Sequence, residues 1–76
     1  MKSLREFAPG ASLVVEGFDS TLTPEARGHL SAWGLMPGTM IELLSHQPVT
    51  RLMVEYAELA LEDTIANGIL ASLRKP

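Results

Sequence analysis

The sequence predicts a mainly β fold: a small five-stranded barrel with one inserted α-helix and a single-turn helix before the last strand. Three observations carry this prediction. Short apolar stretches of strand length recur with turn signals between them. The segment Thr23-Pro24-Glu25 opens a helix instead. The run Leu30-Ser31-Ala32-Trp33-Gly34-Leu35-Met36-Pro37-Gly38 then reads as helix end, glycine stop, turn and strand entry. At 76 residues the chain has the length of one domain, taken as residues 1–76. A domain of that size has little core to spare, so closing the sheet and removing its edges is favoured.

Leu4 and Phe7 are apolar anchors in a short lead-in that ends at Pro9-Gly10. Ala11 to Phe18 is the first expected strand, with Leu13 and Val15 on one face and Val14 and Phe18 on the other. Gly17 marks a bulge or bend in it. Asp19-Ser20-Thr21 is a turn.

The helix is expected from Pro24 to about Trp33. Thr23 is the N-cap, Pro24 suits the first helical position, and Glu25 favours the positive end of the dipole. Ala26, Leu30 and Trp33 form one apolar stripe. Gly34 stands where a left-handed cap residue is needed, and Leu35 folds back on the last helical turn. Pro37-Gly38 fits the centre of a type II turn. The helix is expected to plug one end of the barrel.

The remaining strands are Thr39 to Ser45, Arg51 to Tyr56, Leu59 to Leu61 and Ile69 to Leu73. In the second of these Leu52, Val54 and Tyr56 alternate with Arg51, Met53 and Glu55. In the last, Ile69, Ala71 and Leu73 share a face. Glu62 to Ala66 reads as one helical turn ended by Asn67-Gly68.

Composition narrows the function. The net charge is −3, which argues against nucleic acid, whose phosphates need a basic stripe. The basic residues are scattered, and only Arg74-Lys75 are adjacent. There is no cysteine, hence no disulfide framework and no thiolate metal site. The start of the chain lacks the apolar core of a signal peptide, and no stretch is long enough to span a bilayer. A soluble cytoplasmic protein without direct membrane insertion is expected.

In order along the chain, Leu4 with Pro9-Gly10, Val15 through Phe18, Arg27 with Leu30, Gly34-Leu35, Pro37-Gly38, Leu59-Ala60-Leu61 and Ala66 with Ile69 resemble the FeoA family. These are the small proteins encoded beside the bacterial ferrous-iron transporter FeoB. The resemblance implies an SH3-like barrel, a cytoplasmic location, and support of FeoB-dependent iron uptake by protein contact, with no catalytic residues. Three departures are visible. Trp33 stands where Leu is usual, the loop Ser45 to Arg51 is short and lacks the family's common Gly-Asp-Pro turn, and Glu62 stands where Arg is common. An alternative is a detached sensory domain, because metal-dependent repressors carry a similar C-terminal SH3-like domain.

The chemical candidates are few. Glu25 and His29 are spaced i, i+4 on the helix, His46 lies in a loop, and Glu62-Asp63 form an acidic pair. Two ligands do not make a site, so no resident metal or cofactor is assigned. The serines have no triad setting, and Gly34-x-x-x-Gly38 lacks the Lys-Ser/Thr of a phosphate loop. Arg27 and Arg51 are the mid-chain choices for an arginine finger and read more simply as solubilising charges.

Partner contact is the better candidate. Leu30, Trp33, Gly34, Leu35, Met36 and Pro37 are assigned to a partner-binding groove, with Leu22 as a further member. Most of the Trp33 ring is expected against the core beside Leu30, its edge flanking the groove. An exposed strand edge or this groove would also support self-association.

Overall fold

The computed structural model describes residues 1–74. Lys75, half of the basic pair noted above, lies outside the described residues. The spacing Ser3-x-x-Glu6 encodes a capping box. The Ser3 hydroxyl accepts from the Arg5 N–H at 3.1 Å, and the Glu6 carboxylate accepts from the Ser3 N–H at 3.0 Å. Leu4–Glu6 therefore makes a single 3₁₀ turn that buries Leu4. Ahead of it, β1 (Lys2–Ser3) pairs antiparallel with β6 (Ile69–Leu73).

The other strands are β2 (Ser12–Phe18), β3 (Met40–Ser45), β4 (Thr50–Val54) and β5 (Ala57–Leu61), and the helices are α1 (Pro24–Ala32) and α2 (Asp63–Asn67). The strands form one sheet in the order β1-β6-β2-β3-β4-β5, every pairing antiparallel. The sixth strand, relative to the five expected, is the two-residue β1. It is too short to show any alternation in the sequence.

Among the described residues β1 and β5, the two ends of the sheet, do not pair with each other. Side chains close that seam instead. Arg5 Nη1 lies 3.4 Å from the His46 carbonyl, 3.4 Å from Thr50 Oγ1 and 3.3 Å from an Asp63 carboxylate oxygen. His46 Nε2–H donates to the Phe7 carbonyl at 2.7 Å, and in the neutral ring Nδ1 accepts from Thr50, 3.3 Å away. Thr50 is fully buried, so these partners satisfy a hydroxyl that water does not reach.

One apolar cluster fills the interior. It draws Leu13 and Val15 from β2, Ile41 and Leu43 from β3, Leu52 and Val54 from β4, and Ile69 and Ala71 from β6. Helix α1 adds Leu30, and the segments flanking it add Leu22 and Leu35.

Three details depart from the sequence reading. The β2–β6 register shifts between Val15 and Gly17, so Glu16 bulges and its carboxylate accepts from the Ser72 hydroxyl. The bulge reverses side-chain parity. Phe18 thereby pairs with Ile69 and packs on the core rather than sharing the face of Val14. Strand β4 stops at Val54, and Glu55-Tyr56 make a two-residue turn in which Glu55 has φ +57°. Tyr56 is consequently fully exposed rather than aligned with Leu52 and Val54. Leu73 closes β6 beyond the core and is 64% exposed.

At both ends of α1 the expected caps form. Thr23 Oγ1 accepts from the Ala26 N–H at 3.1 Å. At the other end Leu35 N–H donates to the Leu30 carbonyl at 2.9 Å and Gly34 N–H to the Ser31 carbonyl at 3.0 Å. This is the Schellman pattern, with Leu30 and Leu35 as its apolar pair. Gly34 has φ +92°, and a Cβ there would meet Val54 Cγ1 at an ordinary 3.6 Å. The penalty for Gly34→Ala is therefore conformational, about 1 kcal/mol. Chemical denaturation would read it as a lower midpoint with an unchanged slope. Gly38, φ +92°, completes the type II turn, in which Thr39 N–H donates to the Met36 carbonyl at 2.9 Å.

Asp19 organises the approach to α1. Its side chain accepts from the Thr21 N–H at 2.7 Å. That bond first, then the Thr21 hydroxyl and the charge of Arg27, hold the Asp19 carboxyl below the usual carboxylate value. A lowered folded value means the stabilisation is fully present above the unfolded value and is lost as pH falls through the folded one. An NMR titration is expected to place the Asp19 midpoint below that of the unfolded chain, and a midpoint at or above it would refute this linkage.

Candidate interaction surface

The surface is built on α1. Because Leu30 must point inward, the residues one turn to either side, Ala26 and Trp33, are set along the same edge of the helix. Trp33 is the C-cap residue with φ −90° and ψ 4°. It stands where the helix has ended, and its ring is 53% exposed rather than laid on the core. The His29 ring stacks on it, with centroids 6.4 Å apart and planes inclined by 29°.

Trp33, Ala26, His29 and Leu30 form one wall of an open groove of about 350 Å³. Ala60 and Leu61 from β5, Glu62, and Ile65 from α2 form the other. A larger depression of about 460 Å³ lies over β3 and β4, with Met40, Met53, Glu42, Glu55 and Arg74 around it. It is the more polar of the two and lacks the exposed aromatic ring.

The expected groove residues separate into groups. Leu30 and Leu35 are 2% and 0% exposed, so they belong to the core and hold the surface from beneath. Leu35 offers a partner no side-chain surface, and Leu30 offers only the small part that lines the groove. Leu22, 5% exposed, is likewise core. Gly34 is half-buried and acts through its backbone. Trp33, Met36 and Pro37 are exposed. Only Trp33 and Leu30 of the six line the groove, because the turn at Gly34 carries Met36 and Pro37 away from it. The opposite wall, Ala60 to Ile65, was not anticipated. No local pattern announces it, since it is brought to α1 only by the path of β5 and α2.

Three of the candidate chemical residues, His46, Arg27 and Arg51, are engaged in the fold. Both ring nitrogens of His46 are bonded within the seam. Arg27 Nη2 donates to the Asp19 carbonyl at 3.1 Å, fastening α1 to the end of β2. Arg51 pairs with Glu58 through Nε at 2.7 Å and Nη2 at 2.5 Å. Among the described residues no three His, Cys, Asp or Glu side chains converge as a metal cluster would require.

A small antiparallel barrel with a helix inserted after its long first hairpin strand, and an aromatic-edged groove beside that helix, is an SH3-like domain. The family model described as FeoA domain matches residues 2–73, and the chain belongs to the FeoA family. The chain is similar to a crystal structure of an iron uptake regulatory protein (FeoA), with 24% identity, 93% of each chain covered and a TM-score of 0.81. It is similar to Stenotrophomonas maltophilia FeoA complexed with zinc, described as a procaryotic SH3 domain protein, at 19% identity over 95% of this chain and 91% of that one, TM-score 0.79. It also matches the apo form of the manganese-activated repressor ScaR at 20% identity, covering 96% of this chain but 35% of that one, TM-score 0.84. No curated protein is matched.

Proposed function

We propose that this chain is a non-enzymatic accessory protein of ferrous iron uptake, docking on the cytoplasmic part of FeoB and favouring one conformation of it. The observation that carries this reading is a half-exposed Trp33 at the rim of an apolar groove, on a family member whose mid-chain arginines, Arg27 and Arg51, and loop histidine are already committed to its own fold. An exposed tryptophan beside a pocket is the residue type that dominates protein interfaces.

Trp33 is the sole tryptophan, so its fluorescence reports the groove. Titration with detergent-solubilised FeoB is expected to give a saturable change that persists at moderate salt. Trp33→Ala, tested by co-purification, is expected to weaken binding by at least tenfold, about 1.4 kcal/mol. Unchanged binding by Trp33→Ala would move the contact to another face. Absence of binding by the unaltered protein would reject FeoB as the partner.

A second reading draws on the repressor likeness: a detached sensory domain acting through another protein. A gene beside a repressor rather than a transporter would favour it.

A further inference from the structure

We propose that the free edge of β5 and the groove beside it receive an extended, cationic segment of the partner, added to the sheet as a further strand. This rests on the docking role proposed above and specifies its chemistry.

Strand β5 is last in the sheet and is paired only with β4. Among the described residues, its backbone makes no hydrogen bond outside that pairing. The two-residue turn makes Val54 and Ala57 a hydrogen-bonded pair, and such pairs alternate along an antiparallel ladder. Leu59 and Leu61 therefore bond across to Leu52 and Thr50. Glu58 and Ala60 direct their N–H and C=O groups away from β4. An incoming strand finds two donors and two acceptors at strand spacing.

Most sheet edges carry a guard, such as lysine, proline, a bulge or a covering element. The run Ala57-Glu58-Leu59-Ala60-Leu61 has no lysine, proline or bulge. Its one charge, Glu58, is held by Arg51. Arg5 and His46 close the seam at Thr50, the partner of Leu61, and at Ala60 the edge faces the groove beside α1.

The groove selects the occupant. Its lining holds the half-exposed Trp33, with the His29 ring stacked on it, and Glu62, and neither lysine nor arginine. Among the described residues Glu62 has no ion-pair partner. An aromatic face and an unpaired carboxylate together suit an arginine or lysine side chain. A second copy of this acidic chain, net charge −3, would bring acid to acid.

The probe is the capped peptide acetyl-Val-Arg-Val-Arg-Val-amide, compared with its glutamate counterpart and with a backbone N-methylated form. Trp33 fluorescence reads binding. The arginine peptide is expected to bind at least tenfold tighter than the glutamate peptide, and Glu62→Lys to reverse that order. Ala60→Pro removes an N–H that β4 does not use, so the fold should persist while peptide binding falls at least tenfold. N-methylation tests the same main-chain bonds with the protein unaltered, should Ala60→Pro not fold. Equal binding of the two charges, or of the N-methylated peptide, would overturn the inference. So would self-association that Ala60→Pro abolishes without any peptide preference. FeoB binding that survives both Ala60→Pro and Glu62→Lys would also overturn it, yet leave the docking role standing. FeoB binding absent from the unaltered protein would reject that role instead, while peptide discrimination would still be read independently.

Discussion

Leu35→Ala is expected to remove about 3 kcal/mol of stability. The side chain is fully buried, and its loss combines a transfer cost with a cavity that the surrounding barrel closes only in part. The backbone bond from Leu35 N–H to the Leu30 carbonyl survives the change, so the helix cap remains and the loss is one of packing. A domain of this length holds only about 4–11 kcal/mol in total, so a large share would go. The urea midpoint should fall by about 2 M at an unchanged slope. Leu35→Met, which keeps the volume, should lose less than about 1.5 kcal/mol. A Leu35→Ala loss below about 1 kcal/mol would show that the site is not closely packed.

Gly68→Ala is expected to destabilise the fold by about 2 kcal/mol through overpacking. Gly68 caps α2 with φ −91° and ψ −2°, a negative-φ conformation open to residues with a Cβ. The obstacle is space. A Cβ there would lie 2.5 Å from Leu22 Cγ and 2.7 Å from Leu22 Cδ2. Leu22 is 5% exposed and cannot swing into solvent. The double-mutant cycle isolates this cause. On a Leu22→Ala background, Gly68→Ala should be close to neutral, giving a coupling of about 2 kcal/mol. An undiminished penalty on that background would place the strain elsewhere.

These two positions show what the sequence makes legible. Leu35 was readable because the Schellman cap is local chemistry: glycine, its spacing from the helix, and an apolar residue after it. Gly68 was readable as a helix stop, but its reason was not, since the clash involves Leu22, far away in the chain. The same distinction explains the groove. Trp33 fits the apolar stripe of α1 by periodicity, yet the helix ends at Ala32, and a residue past the last turn is released from the stripe. Leu30 looked like a contact residue and proved to be a core residue, so Leu30→Asp would report folding rather than docking. Glu55 gave no warning because its left-handed backbone is uncommon for a residue with a side chain. The opposite wall from Ala60 to Ile65 exists only once β5 has turned back beside β4.

The pairing of β1 with β6, Lys2 opposite Ala71 and Ser3 opposite Leu70, has a consequence for how such a barrel is reused. The polypeptide enters and leaves through adjacent strands of one sheet. A longer chain can therefore carry this unit as a plug-in, splicing it in at a single point on the surface without threading anything through the interior. In the manganese-activated repressor the matching fold makes up about a third of the chain. For engineering, the same adjacency marks the place where a short tether would rejoin the two ends.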